Sequence, residues 1–385
     1  MIKFFNKHSS NDKNIKGEII YKNNHVINIY GACTCCYDNL KPLSYLDKKS
    51  YIEKRVDAGH ESILEHGRLA MKFYNIHDAS LIAQITTYEY SKYLEFFSIQ
   101  KESDDYVLII NGNMRSYKYF ITNTLASDYD NNIIVRLVHN LLINNTVGEL
   151  YGKQFKMYDE IPKFVEIEYF NDETKFNGNY NADSFMQYDT MITDKIVDIP
   201  TTNPEPIKTV DIGIDTSYIN SLVTDPDIST DIYLSIMTVG ILFKNMSRTA
   251  THQLVRHRNA ITQESQRYVN AKDATFTIPL PNYDNTKKYS INLFDQEQKV
   301  TLSELASELM NVYPQLMQQG LRKEEARAFL PSNVNCGKLY MTFSLGNLEA
   351  FIKLRTDKHA QYEIRQYATM IKESISQYLY SLNDN

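Results

Sequence analysis

The chain has 385 residues, enough for two or three domains at roughly 150 residues each. Its 41 Lys and Arg against 47 Asp and Glu give a formal charge of −6, without the basic excess of a general nucleic-acid binder. With 43% hydrophobic and 23% charged residues it has the composition of a globular protein rather than a disordered one, and no apolar run approaches a membrane span.

In chain order, MIKFFNKHSSNDKN turns polar too soon for a signal peptide, so a cytoplasmic protein is expected. Cys33, Cys35 and Cys36 crowd together and Cys336 stands alone. Four cysteines are too few for a disulfide framework, and no second ligand pair at zinc-site spacing follows. Reduced, buried thiols and no metal are expected. GHESILEH runs from Gly59 to His66. Leu69 to Tyr74 then reads as a strand leading into helix-like DASLIAQITTYEYSKYLEFF, and NMRSYKYFITNTLASDYDNNII begins at Asn113. Three of the ten prolines fall between Asp198 and Lys208. Proline stops helices and removes ladder donors, so 198–208 reads as a linker between lobes 1–197 and 209–385.

The second lobe opens the same way, with a strand at Gly240 to Lys244 leading into SRTATHQLVRHRNAITQESQRY. Near the C-terminus, Leu348, Phe351 and Ile352 form an i, i+3, i+4 stripe. After a break near Thr356, Ile364, Tyr367, Ala368, Ile371 and Ile375 continue a second amphipathic helix.

The lobes can be set side by side. Placing Gln84 on Gln253 pairs Phe73 with Leu242, Ala79 with Arg248, Ile85 with Leu254 and Glu95 with Glu264. Placing Asn113 on Ser344 pairs Phe120 with Phe351, Ile121 with Ile352 and Ile133 with Ile364. A diverged internal repeat is expected; the alternative is two unrelated halves whose amphipathic helices imitate one.

Two features carry chemistry. Arg355 falls on the apolar face at i+7 from Leu348. An unpaired guanidinium there is costly, so it must meet an anion, a carbonyl or a carboxylate, with Glu349 and Glu363 as the internal choices. The residues alone leave a ligand and an internal salt bridge equally open. The densest cluster is Gln253-Leu-Val-Arg256-His257-Arg258, followed by Glu264-Ser265-Gln266-Arg267-Tyr268. On a helix the three consecutive basic side chains would fan over ~200°. Forked arginines, a hydroxyl and an amide suit a phosphate or nucleotide; a solvated basic helix end is the alternative.

With RHRNAITQESQRYV the sequence resembles the flavin-dependent thymidylate synthases, whose hallmark is Arg-His-Arg, a short spacer, a serine and a loop ending in Arg-Tyr. GHESILEH, EARAFLP (residues 325–331) and FIKLRTDKHAQYEIRQYA (residues 351–368) resemble three further family segments, in the family's order. The resemblance implies an α/β (α+β) fold of the thymidylate synthase-complementing-protein type, a mixed sheet flanked by helices, here as two fused and diverged lobes. It implies reductive methylation of dUMP to dTMP, with methylenetetrahydrofolate giving the carbon, NADPH the electrons and FAD the hydride relay. Arg355 matches the arginine that activates uracil. Gln253, Arg256, Ser265, Gln266, Arg267, Arg327 and Arg355 match positions around the nucleotide; Ser62, Arg256, His257, Arg258 and Glu264 match positions around the flavin. No cysteine nucleophile is required.

The chain departs from the family pattern in two places. The spacer from Arg258 to Ser265 is one residue short. Where the family carries a flavin-touching Asn-x-Arg, this chain has Ser344-Leu345-Gly346, while Asn113-Met114-Arg115 stands in the first lobe. That lobe has Thr87-Tyr88-Glu89 and Thr124 in place of Arg256-His257-Arg258 and Arg355. Family members are homotetramers with shared sites. The complementary losses suggest that Ser62, Asn113 and Arg115 serve the flavin, and that a dimer of two-lobed chains stands in for the tetramer. The alternative is that residues 76–235 are an insertion. Small-molecule partners are expected, with no nucleic acid and no membrane. A hydroxymethylating relative and a nucleotide-binding pseudoenzyme are the competing functions.

Overall fold

The computed structural model describes residues 15–23, 25–37, 45–127, 132–143, 210–214, 224–267, 269–293 and 295–383. The proline-rich segment 198–208, most of 128–198 and Tyr268 lie outside the described residues. Two compact units divide the chain, each drawn from separated stretches. Among the described residues the first takes 15–30, 45–143 and 224–238, and the second 31–37, 210–214 and 239–383.

The first unit is built on strands β1 (Lys16–Lys22), β2 (Arg68–Ile76), β3 (Glu95–Gln100) and β4 (Tyr106–Asn113), in the order β1-β2-β4-β3. All three pairings are antiparallel. Leu69 to Phe73 are buried without interruption, the pattern of a central strand covered on both faces. The one cation in that run, Lys72, is paired with Asp225 and Asp227 at 2.8 Å each, as a buried charge must be. Helices α1 (His25–Tyr37), α2 (Tyr45–Asp57), α3 (Ala79–Thr87), α4 (Met114–Leu125), α5 (Ile133–Ile143) and α6 (Thr230–Ile236) accompany this sheet, α1 passing into the second unit at Gly31. Asp78 caps α3 by accepting from Ser80 N, and Asn113 caps α4 by accepting from Ser116 N.

The second unit holds β5 (Val210–Ile214), β6 (Thr238–Lys244), β7 (Ala260–Gln263) and β10 (Lys338–Ser344) in the order β5-β6-β10-β7, with a separate hairpin of β8 (Tyr289–Leu293) and β9 (Gln296–Val300). The pairings of β5 with β6, β7 with β10 and β8 with β9 are antiparallel. Its helices are α7 (Arg248–Leu254), α8 (Leu302–Gln318), α9 (Lys323–Ala326), α10 (Leu345–Arg355) and α11 (Tyr362–Asn383). The expected α/β class is borne out, on the α+β side.

The C-terminal helices follow their periodicity. Leu348, Phe351 and Ile352 are buried on α10, Thr356 is its C-cap, and Ile364, Tyr367, Ala368, Ile371 and Ile375 are buried on α11. The two longer helix-like segments are instead cut short. α3 ends at Thr87 and α7 at Leu254; each passes through a 3₁₀ turn and then a strand. Tyr88 leaves the helix in an extended conformation, and Arg258 takes a left-handed φ of 50°, which no α-helix continues. No helix among the described residues is long and apolar enough to cross a membrane.

Candidate functional site

In the second unit the Arg-His-Arg run stands at the end of α7, where the helix tightens into the 3₁₀ turn Val255–His257. The start of this helix is fixed from within. Ser247 caps α7 by accepting from Ala250 N, and donates its own N–H and hydroxyl to Glu363 Oε1 and Oε2 at 2.7 and 2.5 Å. Glu363 is fully buried; burial raises its carboxyl pKa and the two Ser247 bonds oppose the rise.

Arg355 ends α10 half-buried. Its Nε donates to His257 Nε2 at 3.0 Å and its Nη2 to the Gln253 carbonyl at 3.5 Å. Neither expected carboxylate reaches it: Glu349 is exposed and Glu363 is committed to Ser247. Because Nε2 accepts, the neutral imidazole carries its proton on Nδ1. Burial first and the Arg355 charge second lower the His257 pKa, which keeps it neutral. The ring meets the Phe351 ring edge-on at 4.9 Å. Burial also lowers the Arg355 pKa, and nearby Arg256 adds like-charge repulsion. Asn259 donates to the His257 carbonyl at 2.8 Å and accepts from Asn347 at 3.0 Å, tying the turn to α10.

Among the described residues Arg256, Arg258 and Arg327 have no acidic partner, and Arg256 and Arg258 are exposed. Arg267 is exposed and donates to Glu324 at 3.3 Å, beside the turn that begins at Arg327. The expected phosphate cradle is divided: Arg267 points outward, but Gln266 is buried, accepting from Arg248 Nη1 at 2.8 Å and turning its amide nitrogen to Cys336 Sγ at 3.8 Å. Ser265 Oγ accepts from Arg267 N at 3.3 Å, so that hydroxyl shapes the loop. Glu264 N donates to the Lys338 carbonyl at 2.8 Å, and its carboxylate lies where a Cβ on Gly337 (φ 67°) would fall. A side chain there would displace the carboxylate and strain a left-handed backbone, so glycine is favoured at that corner.

The cysteines line the structure behind the loop. Cys35 Sγ donates to the Thr262 carbonyl at 3.3 Å and the Cys36 carbonyl accepts from Ser265 N at 3.3 Å. Burial pushes the Cys336 thiol up to about 11 and the Cys35 thiol further, so neither supplies a thiolate. No group of three or more metal-ligating side chains occurs among the described residues.

In the first unit, Ser62 is exposed on the 3₁₀ turn Glu61–His66, which packs against α4. Arg115 on α4 pairs with Glu65 at 2.6 Å, and Lys118 pairs with Glu61. Asn113 spends its side-chain oxygen capping α4, accepting from Ser116 N at 2.9 Å and Ser116 Oγ at 3.0 Å. Ser62 and Arg115 therefore share one surface, while Asn113 has a structural task. The residues missed by motif reading are Arg248, Asn259, Asn347, Ser247 and Gly337, and Glu363, expected as a choice for Arg355, serves Ser247 instead. The signals available were the serine one residue before α7 and a lone glycine before a strand.

The second unit thus holds a multi-arginine corner at the end of α7, beside a four-stranded sheet. Residues 203–379 match the sequence model of the family described as thymidylate synthase complementing protein, Thy1. Over that stretch the chain is similar to this family, and the resemblance read from its motifs is borne out. It is 36% identical over 142 residues to the flavin-dependent thymidylate synthase of Pyrococcus abyssi, covering 36% of this chain and 54% of that protein. It is 35% identical over 144 residues to the protein of the same name from Pyrococcus furiosus (36% and 54%), and 35% over 139 residues to that of Wolbachia pipientis wMel (33% and 48%). The chain thus spans about half the length of the curated relatives it matches. GHESILEH and Asn113-Met114-Arg115 fall outside the matched residues 203–379.

Proposed function

We propose that this chain makes dTMP from dUMP by reductive methylation, with methylenetetrahydrofolate as carbon donor and NADPH as electron source. The observation that carries the reading is the uncompensated charge at the end of α7. Arg256, Arg258 and Arg327 lack acidic partners among the described residues, and Arg355 meets an imidazole and a carbonyl instead of a carboxylate. Guanidinium groups with no internal carboxylate are free to bind the anionic groups of a ligand.

Gln253, Arg256, Ser265, Gln266, Arg267 and Arg327 are the nucleotide-binding candidates, with Gln266 and Ser265 acting through the loop they brace. C5 of uracil becomes nucleophilic when negative charge is accepted on the ring oxygens. Arg355 supplies that charge contact, and His257 holds the guanidinium in place without competing for the anion. A preorganised donor of this kind is worth ~10²–10³ in rate. The protonated thiols of Cys35 and Cys336 support activation by charge instead of thiolate addition.

The exposed cations fit a flavin dinucleotide, whose diphosphate is anionic. The flavin candidates of the second unit are Arg256, His257, Arg258 and Glu264; those of the first are Ser62 and Arg115, with Asn113 shaping the start of α4. When bound, FAD supplies hydride transfer to the carbon unit. A homo-oligomer, either a dimer of these chains or a tetramer, is the assembly this reading carries.

The test is product analysis by mass spectrometry with purified protein, dUMP, FAD, NADPH and methylenetetrahydrofolate. Formation of dTMP that depends on all four supports the proposal. A hydroxymethylated nucleotide would replace it with the related pyrimidine-modifying reaction, and unchanged dUMP with flavin bound would replace it with a nucleotide-binding role.

A further inference from the structure

The two units share more than strand count. In each sheet the first strand pairs with the second, the second lies beside the fourth, and the fourth beside the third. In each, the second strand leads through a left-handed asparagine, Asn75 or Asn245, to a side-chain-capped helix. The residues set side by side in the sequence, Ala79 and Arg248, are the first residues of those helices. Each helix then passes through a 3₁₀ turn into the third strand. The fourth strands end on Asn113 and Ser344, which were also set side by side, and each caps the next helix through its side chain. Phe120 with Ile121 and Phe351 with Ile352 are buried at matching places on those helices.

Against that common frame the chemistry has been exchanged residue by residue. At the position of His257 stands Tyr88, whose hydroxyl donates to the Asn123 carbonyl at 3.3 Å near the end of α4, as the imidazole meets the end of α10. At the position of Arg355 stands Thr124, fully buried, with its hydroxyl returned to the Phe120 carbonyl at 2.7 Å. Thr87 and Glu89 replace Arg256 and Arg258, so one cation is lost and another is reversed to an anion. Tyr88, Tyr90, Tyr119 and Tyr93 form a chain of edge-on rings over this corner, at centroid distances of 5.2, 5.1 and 6.1 Å.

We infer that the first unit is a second copy of the same fold whose nucleotide site has been closed, so that each chain binds a single pyrimidine nucleotide. This rests on the function proposed above and adds to it the number of sites and the unit that carries them. The Thr87 and Thr124 hydroxyls donate to their own helices and the Tyr88 hydroxyl to α4, which leaves no donor for a phosphate, and Glu89 repels one.

Equilibrium dialysis of the full chain with labelled dUMP, in the presence of FAD, reads the inference. One equivalent per chain is expected, falling to less than a tenth of an equivalent in the Arg256→Ala/Arg355→Ala double variant. Circular dichroism is run alongside to show that the variant is folded. Tyr88→Phe and Thr124→Ala are expected to leave the stoichiometry at one. Two equivalents in the native chain, or one surviving in the folded double variant, would overturn the inference while leaving the nucleotide reading intact. No dUMP bound at all would overturn both.

Discussion

The first unit ties several of its charges into ion pairs, and the second leaves a cluster of arginines without acidic partners among the described residues. Lys72 lies between Asp225 and Asp227, Arg115 meets Glu65 and Lys118 meets Glu61. In the second unit Arg256 stands close enough to Arg355 to lower its pKa, and no acid relieves either. Two sheets with one strand order thus carry different charge arrangements at corresponding corners. The fold sets where the corner is, and a handful of side chains sets what it does.

The largest way to break this contrast is at the paired positions Arg355 and Thr124. Arg355→Ala is expected to retain flavin and lose turnover by ~10²–10³, whereas Thr124→Ala changes turnover by less than about twofold. Steady-state dTMP formation checks both, and near-native turnover in Arg355→Ala would remove the assigned role. Acid is the next lever. His25 and His66 are wholly buried in the first unit, with pKa values lowered from 6.5 to about 4 and about 3. Their folded values lie below the unfolded one, so the stability they allow is complete above pH 6.5 and lost as pH falls toward those values, on the order of a few kcal/mol each. Hydrogen exchange at pH 7 and pH 4.5 should show β2 and α1 of the first unit losing protection before β10 does; the reverse order would contradict it.

The capping residues give a smaller, sharper comparison. Glu363→Ala strands the buried Ser247 N–H and hydroxyl and is expected to cost about 2–3 kcal/mol in denaturant unfolding. Asp78→Ala, at the corresponding helix start but exposed, is expected to cost about 1 kcal/mol. Equal costs would show that the buried carboxylate adds nothing beyond a cap. Smallest of all, Gly59→Ala meets no atom within 4 Å and carries only the penalty of φ 86°, about 1 kcal/mol. Gly337→Ala adds displacement of the Glu264 carboxylate and should also weaken flavin retention.

What the sequence made legible follows from which forces are local. The burial of Leu348, Phe351 and Ile352, and of Ile364 through Ile375, was readable because helical periodicity is a property of neighbours in the chain. Arg355 was readable as a charge out of place. The ends of α3 and α7 were not, because the amphipathic pattern runs on while the backbone turns at Tyr88 and Arg258. Ser247 with Glu363, Arg248 with Gln266 and Glu264 with Gly337 join residues 116, 18 and 73 positions apart, and no spacing rule connects them. Two nucleotide candidates, Ser265 and Gln266, brace the loop from which Arg267 points outward, through contacts that no spacing rule shows.

The bond between Arg355 and His257 gives the site a built-in exclusivity. The lone pair that receives the guanidinium proton is the same one a histidine would need in order to take a proton from substrate. While it steadies Arg355, the imidazole is therefore silent as a base; once protonated, it becomes a second cation and releases the arginine. In the proposed reaction a proton removed from the ring leaves by another path, and solvent acidity reaches the arginine through its neighbour long before it could reach the guanidinium itself.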